Sequence, residues 1–454
     1  MTRTASTLCL ALLLLAGGCD GRDPTLGPQP QPSIDVELRA SLARWGVIPI
    51  GPMPVQNPAL VDLGQALMFD KILSGNRDIS CGTCHDPLTH GADGLSLSIG
   101  TGGTGSGSSR TPGPGGQFVP RSAPSLLDRG LGFYQVFWDG RISGFGTGPF
   151  QTPAGFALPP GLPNILAAQA MFPVTNRREM RGEPGDVDVL GNPNELAQLA
   201  DSQFADIWRA VMRRVLAVPE YVAKFNAAFP GTPTNTLGFQ HAATAIAAFQ
   251  MQAFTRTNSP LDRYLARDDA ALSVEAKRGA LLFFGEARCS SCHNGPLLGG
   301  QSFANVGVPQ LGPGTGAGTP LDFGFGDVVN EPFYQFSFRV QPLRNVELTA
   351  PYMHDGAYAT LEAVVRHYND IPVALRSYDV SQLAPALRGT YHGGEATITA
   401  VLSTLDGRLR TPIGLTEEQM REVVAFLKSL TDPAARDLNA LVPATVPSGL
   451  PVRE

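Results

Sequence analysis

Two copies of one five-residue pattern constrain this chain more than any other feature. The copies are Cys81-Gly82-Thr83-Cys84-His85 and Cys289-Ser290-Ser291-Cys292-His293. The pattern C-x-x-C-H attaches a c-type haem. Each thiol forms a thioether to a haem vinyl group, and the histidine becomes the proximal ligand of the iron. The sequence therefore predicts two covalently bound haem c groups, and we expect the fold to be built around them.

The other two cysteines lie near the first residue. Residues 1–18 hold a single charge followed by the apolar run 8–16, which is typical of a signal peptide and is too short to span a bilayer. The stretch from Leu15 to Cys19 resembles a bacterial lipobox. We therefore predict a periplasmic protein anchored to the membrane by a lipid on Cys19, with Cys9 in the removed segment. The alternative is a cleaved signal that leaves Cys19 as a free thiol.

Composition narrows the functional classes. The net charge is −6 and no lysine or arginine cluster stands out, which argues against nucleic acid as a partner. Beyond the leader, no apolar run reaches membrane-spanning length, so membrane contact is expected through the lipid anchor only. With 51 glycines and 39 prolines among 454 residues, we expect a loop-rich protein in which large apolar cofactors supply part of the core.

The predicted fold is mainly α, with two cytochrome c-like haem domains and long Gly/Pro-rich loops. We divide the chain into a signal peptide (1–18), a tether (19–40), an N-terminal haem domain (41–257), a C-terminal haem domain (258–435) and a tail (436–454). Helical spacing is found at 61–72, 196–228, 237–254, 271–284, 360–368 and 416–430. Loops rich in glycine or proline are predicted at 99–117, 143–163 and 307–326.

The sixth ligand of each iron decides the function. A haem iron with two strong protein ligands transfers electrons, whereas one with an open position can bind peroxide. Beyond the two proximal residues, five histidines are available as ligands: His90, His241, His354, His367 and His392.

Four segments, in this order along the chain, resemble the bacterial di-haem cytochrome c peroxidase family. They are residues 73–87, Phe137-Trp138-Asp139-Gly140-Arg141, residues 343–356 and residues 424–430. The resemblance implies that hydrogen peroxide binds at the N-terminal haem. It also implies that the C-terminal haem receives electrons from a small donor protein, either a cytochrome c or a cupredoxin. The resemblance is also compatible with a homodimer.

The resemblance also assigns catalytic residues. Trp138 matches a tryptophan between the two haems, and Gln169 and Glu179 match a distal pair that keeps the family's ten-residue spacing. A carboxylate in a partly desolvated pocket has its pKa raised toward the working pH and can move the peroxide proton. The alternatives are a surface glutamate beside Arg177 and Arg178, and a tryptophan that serves only as core.

Two departures from the family concern the iron ligands. Where relatives carry a histidine that blocks the peroxide haem, this chain has Thr101, which is a poor ligand. The N-terminal haem is therefore expected to be five-coordinate or to hold water. At the C-terminal haem, Tyr368 stands where typical members use methionine, as in the diheme enzyme that matures methylamine dehydrogenase. His367 and Met353 are the alternative ligands at this haem.

A further departure concerns a metal ion. Relatives often hold Ca²⁺ at the domain interface through an asparagine, and the matching residue here is Ser122. Backbone carbonyls could still bind calcium.

These residues and motifs support three hypotheses. The first is a peroxidase supplied with electrons by a small periplasmic donor. The second is an oxidase that uses peroxide to oxidise a protein or organic substrate through the same two haems, and the Thr101 and Tyr368 departures favour it. The third is a non-enzymatic electron carrier with six-coordinate iron at both haems.

Overall fold

The computed structural model describes residues 33–113, 116–300, 302–315 and 318–453. The predicted signal peptide, Cys19 and most of the predicted tether lie outside the described residues. Within the described ranges, no helix is long and apolar enough to cross a membrane.

The prediction of a mainly α fold is confirmed. The α-helices of the described residues are α1 (Ile34–Arg44), α2 (Pro58–Phe69), α3 (Cys81–Cys84), α4 (Ile165–Ala170), α5 (Phe204–Leu216), α6 (Pro219–Ala228), α7 (Phe239–Phe254), α8 (Pro260–Leu265), α9 (Val274–Phe284), α10 (Phe325–Val329), α11 (Leu361–Asn369), α12 (Ile371–Arg376), α13 (Pro385–Arg388), α14 (Glu395–Ser403) and α15 (Glu417–Lys428). A π-helix spans Arg177–Arg181.

Extended structure is limited to three short antiparallel pairs in the described ranges. They are β1 (Gly103–Thr104) with β2 (Thr111–Pro112), β3 (Gln135–Val136) with β4 (Ile142–Ser143), and β5 (Phe303–Ala304) with β6 (Phe338–Arg339).

Local signals explain where several helices begin. Thr360 caps α11 by accepting a hydrogen bond from the Ala363 amide, and Thr416 forms a capping box with Gln419 at the start of α15. The predicted helical stretch 196–228 divides into α5 and α6, because Pro219 cannot continue the preceding helix but fits the first turn of the next one.

Each half of the chain contains a large apolar core. In the first, α2 packs on α7, and in the second, α9 packs on α15. Both crossings depend on a glycine. A Cβ at Gly64 would lie 2.0 Å from the Ala245 carbonyl oxygen, and a Cβ at Gly279 would lie 1.8 Å from that of Glu422. These contacts bring the helix that precedes each C-x-x-C-H motif against its partner without a separating side chain.

The first described helix belongs to the second core. Leu38 and Leu42, one helical turn apart on α1, are buried against α9, and Lys277 forms an ion pair with Asp35 at 2.7 Å. The sequence predicts a tether as far as residue 40, whereas α1 begins at Ile34. The difference arises because the partners of this short amphipathic turn lie more than 200 residues away along the chain.

The last residues pack on the first core in turn. Leu438 and Val446 are buried in it, although the sequence assigns residues 436–454 to a separate tail. The buried carboxylate of Asp70 is the polar anchor. It accepts hydrogen bonds from the Tyr221 hydroxyl at 2.8 Å and from the Ser448 hydroxyl at 2.6 Å. Each end of the described chain therefore packs on the opposite half: α1 on the second core, and the last residues on the first.

We expect Asp70→Ala to lower the free energy of unfolding by about 2–4 kcal/mol, because it leaves buried hydroxyl groups without an acceptor. Asp62→Ala is the matched control, since its carboxylate pairs with Lys224 at the surface and contributes within about 1 kcal/mol. Chemical denaturation of both variants measures the difference. Equal stability of the two variants would contradict the anchoring role of Asp70.

Candidate functional site: two cavities with a shared wall

The two C-x-x-C-H motifs have the same local geometry around histidine. The ring Nδ1 lies 3.0 Å from the Gly91 carbonyl oxygen for His85 and 3.0 Å from the Leu298 carbonyl oxygen for His293. Because a carbonyl oxygen only accepts, each Nδ1 must carry the proton, which leaves the Nε2 lone pair free. Burial lowers the pKa of both rings to about 4, so both are neutral imidazoles suited to bind iron.

The four thiols are not joined in disulfides. Burial raises the pKa of Cys81 and of Cys289 to about 12, so the free thiols stay protonated. No disulfide occupies these four thiols, which leaves them for the thioether bonds that attach haem c.

The first cavity has a volume of about 430 Å³ and is lined by Cys81, Cys84 and His85. Its wall contains all three predicted catalytic residues, namely Gln169, Glu179 and Trp138. The sequence separates these residues from the first motif by up to about one hundred positions, and the fold brings them to one space beside it. Arg141 and Asp139 of the Trp138 segment line the same cavity.

Glu179 lies in the π-helix, whose first turn is capped by the Asn176 side chain. The side chain is half-buried at the wall of the first cavity, and the loss of solvation there raises its pKa above the ordinary value for glutamate. The guanidinium groups of Arg141 and Arg121 act in the opposite direction, while Asp139 reinforces the increase.

Thr101 does not line the first cavity. Its hydroxyl donates to the Asp78 carboxylate at 2.9 Å, and its amide donates to the Glu179 carbonyl oxygen at 3.1 Å. The start of the predicted loop 99–117 is buried rather than a surface feature, because the Arg110 guanidinium donates to the carbonyl oxygens of Ile99 and Gly100 at 2.8 Å each. Thr101 is thus held by Asp78 outside the set of residues that line the cavity, although Ser98 of the same segment belongs to that set.

The second cavity, of about 240 Å³, is lined by Cys289, Cys292 and His293. Tyr368 and Met353 also line it, whereas His367 does not. His367 uses both ring nitrogens elsewhere: Nδ1 lies 2.8 Å from the Tyr358 hydroxyl and Nε2 lies 2.8 Å from the Val306 carbonyl oxygen. Burial raises the pKa of the Tyr368 hydroxyl, with smaller contributions from Cys292 and Cys289.

The remaining histidines outside the motifs have structural contacts. His90 bonds to the Ala435 carbonyl oxygen, His241 to the Gly238 backbone, and His392 to the Gly312 carbonyl oxygen. His354 is buried, stacks on Phe338 and lines the second cavity.

One wall is common to both cavities. Trp138 belongs to it, together with the turn 122–124 and two arginines, Arg129 and Arg339, that no sequence motif marks. The Trp138 indole N–H donates to the Ser122 carbonyl oxygen at 2.9 Å. Trp138 is therefore both packed and placed between the two motifs.

Ser122 stands at the position where the resemblance implies a calcium ligand, and in this structure it forms hydrogen bonds within the protein. The Ser122 amide donates to the His354 carbonyl oxygen at 2.8 Å, and its hydroxyl lies 3.3 Å from the Met353 and His354 carbonyl oxygens. These contacts connect Ser122 to the carbonyl oxygens of residues 353 and 354. In the described part of the chain, no cluster of three acidic, histidine or cysteine residues could hold a metal ion.

Comparison with known sequences identifies the family. The sequence profile of the di-haem cytochrome c peroxidases matches residues 58–270. Cytochrome c551 peroxidase of Pseudomonas aeruginosa is 33% identical over 306 residues, which cover 67% of this chain and 70% of the relative. The chain belongs to the di-haem cytochrome c peroxidase family. It is thus an oxidoreductase of the peroxidase type, and the family implies two haem c groups.

Other relatives carry a different activity in their names. Methylamine utilization protein MauG of Methylorubrum extorquens is 29% identical over 410 residues, covering 89% of this chain and 88% of that protein. The crystal structure of a MauG-like protein associated with microbial copper homeostasis is similar with a TM-score of 0.58 at 26% identity. The alignment covers 88% of this chain and 97% of the other.

Proposed function

We propose that this protein reduces hydrogen peroxide at a haem c held by Cys81, Cys84 and His85. A second haem c, held by Cys289, Cys292 and His293, would receive the electrons. The donor would be a small periplasmic protein, either a cytochrome c or a cupredoxin. The observation that carries the proposal is the convergence of Glu179, Gln169 and Trp138 on the first cavity, beside His85.

When bound there, the haem supplies an iron that coordinates peroxide and accepts electrons. Cleavage of the O–O bond needs a proton moved from the inner oxygen to the outer one, which then leaves as water. Glu179 suits this role, because its raised carboxyl pKa favours both taking and returning the proton. The Gln169 amide would orient the peroxide. In the complete reaction, one peroxide, two electrons and two protons give two molecules of water.

Trp138 would relay electrons between the cofactors. Its support is its position in the wall that both cavities share, with the indole N–H tied to the Ser122 carbonyl oxygen. Thr101 is held by Asp78 and does not line the first cavity, so we propose that Thr101 would leave the peroxide site of a haem held by His85 open.

We propose Tyr368 as the sixth ligand of the second iron. It lines the second cavity, whereas both nitrogens of its neighbour His367 are engaged by Tyr358 and Val306. Met353 also lines this cavity and is the alternative ligand. A tyrosine oxygen stabilises ferric iron more than a thioether does, so the potential of this haem would be lower than with methionine.

The second candidate function is peroxide-dependent oxidation of a protein or organic substrate. It is favoured by the two departures from the family's iron ligands, Thr101 and Tyr368, and by the similarity to methylamine utilization protein MauG. The two functions differ in what is consumed. Peroxide turnover that depends on a reduced cytochrome or cupredoxin supports the first, and turnover that leaves an oxidised substrate without such a donor supports the second. We propose no role for calcium, and the lipid anchor on Cys19 stays a prediction.

Glu179→Gln should slow the reaction with peroxide about 10²- to 10⁴-fold, because the amide cannot move the proton. In the native protein the rate should rise with pH through the raised pKa of Glu179, since the deprotonated form is the base. The variant should lose this pH dependence. Stopped-flow absorbance against pH measures both effects.

The control for this measurement is Glu183→Gln, a half-exposed carboxylate close in sequence that does not line the cavity. It should keep the native rate and pH profile. If the Glu179→Gln and Glu183→Gln variants react alike, Glu179 is not the base.

Tyr368→Phe should change the electron paramagnetic resonance spectrum of the second ferric haem, because it removes the proposed oxygen ligand. His367→Gln should keep the native signal, since that side chain is turned away from the cavity. A Tyr368→Phe spectrum identical to the native one would refute the assignment, and a change confined to His367→Gln would transfer it to His367.

A further inference from the structure

Two arginines in the shared wall, one buried and one half-buried, form no ion pair with a carboxylate of the described residues. The side chains are Arg129 and Arg339, and no carboxylate of the described residues lies within 4.0 Å of either one. Arg339 is only 2% exposed, and its Nη1 atom is buried without a hydrogen-bond partner. Two other buried arginines do form ion pairs with a carboxylate: Arg121 with Asp322 at 2.7 Å, and Arg344 with Asp262 at 2.6 Å.

The protein holds the two cations side by side. The Gln341 side-chain oxygen accepts a hydrogen bond from Arg129 at 3.0 Å and from Arg339 at 3.1 Å. Both guanidinium groups also lie over the Phe133 ring, at 5.8 and 5.3 Å from its centre. Backbone carbonyls of Ser125 and Phe137 accept from their Nε atoms. These contacts are neutral, so they orient the two charges without cancelling them.

Such a pair is unfavourable on its own. Removing a charge from water is unfavourable unless a counter-ion is supplied. Burial lowers the pKa of Arg129 to about 10 and holds the pKa of Arg339 well below its ordinary value, where Arg129 adds like-charge repulsion. Asp128 and Asp139 act in the opposite direction, but neither carboxylate forms an ion pair with the two arginines. Because a guanidinium stays protonated in proteins, the wall is suited to bind further anions in direct contact.

The position of the pair identifies the anions. Arg129 and Arg339 line both cavities. Each cavity also contains one of the two motifs that attach haem. Each haem c carries two propionate carboxylates, and a guanidinium binds a carboxylate through paired N–H donors. We infer that Arg129 and Arg339 form one shared binding site for propionates of both haems.

This site would couple the two cofactors. Each bound propionate lowers the cost of burying both cations, so loading of one cavity favours an ordered wall for the other. The same positive charges stabilise the reduced form of each iron. The inference rests on the two haems of the proposed function and not on the peroxide reaction, so it stands or falls separately.

The test is a spectroelectrochemical titration of Arg339→Gln holoprotein, with haem content measured alongside by the pyridine haemochrome method. We expect both haem potentials to shift downward, because one cation near both propionate groups is lost. Arg213→Gln is the charge-matched control, since it removes an exposed cation on α5, and it should leave both potentials unchanged. Arg339→Lys keeps the charge, so both haem potentials should stay close to the native values.

Two results would overturn the inference. If both potentials of Arg339→Gln equal those of the control at full haem content, the arginine does not serve the propionates. If only one potential moves, the site is not shared. Should Arg339→Gln fail to accumulate with two haems, the same titration of Arg129→Gln decides by the same criteria. Peroxide turnover is recorded separately, so a failure of the proposed catalytic role is not confused with a failure of this site.

Discussion

The wall between the two cavities is the element on which the rest of this structure depends. Trp138 lies where both cavities meet, so it is part of the shortest protein layer that separates them. The buried Arg121 fastens this wall to both halves of the chain. It bonds to Asp139, next to Trp138, and to Asp322 of the second half at 2.7 and 2.8 Å. The crossed ends of the chain, α1 on the second core and the last residues on the first, hold the halves together from outside.

The two cavities repeat one plan with different linings. In each, the helix that precedes the motif packs on its partner helix through a glycine. A backbone carbonyl oxygen then accepts from Nδ1 of the motif histidine, which leaves Nε2 free to bind iron. The first cavity then adds an ionisable group, Glu179, whose carboxyl pKa is raised by burial. The second adds the Tyr368 ring and a more apolar lining. This difference in lining supports the proposal that proton transfer uses the first cavity and that the second serves electron transfer.

Local patterns carried much of the prediction from sequence. The C-x-x-C-H motifs, the periodicity of α7 and α9 and the caps of α11 and α15 depend on residues a few positions apart, so they can be recognised without tertiary information. The meeting of Glu179, Gln169 and Trp138 in one cavity was accessible only through the family resemblance. Nothing in their spacing alone requires them to converge.

Long-range contacts were beyond the sequence. The burial of α1 depends on Lys277 and α9, and that of the tail depends on Asp70. A short amphipathic turn or an unpatterned tail does not reveal such partners. The same holds for Arg129 and Arg339, which look like ordinary charged residues in the sequence. Their significance depends on the fold, which gives neither arginine an ion pair with a carboxylate of the described residues. Thr101 could be judged a poor ligand from its chemistry, but its anchoring by Asp78 needed the fold.

The central claim is that the first haem is ready for peroxide without prior reduction of the second. Stopped-flow absorbance after mixing hydrogen peroxide with the fully oxidised protein tests it most directly. We predict a fast change of the haem spectrum in the oxidised protein, at a rate similar to that of the half-reduced protein. A reaction that begins only after one haem has been reduced would contradict the claim, because another residue would then block the iron on His85.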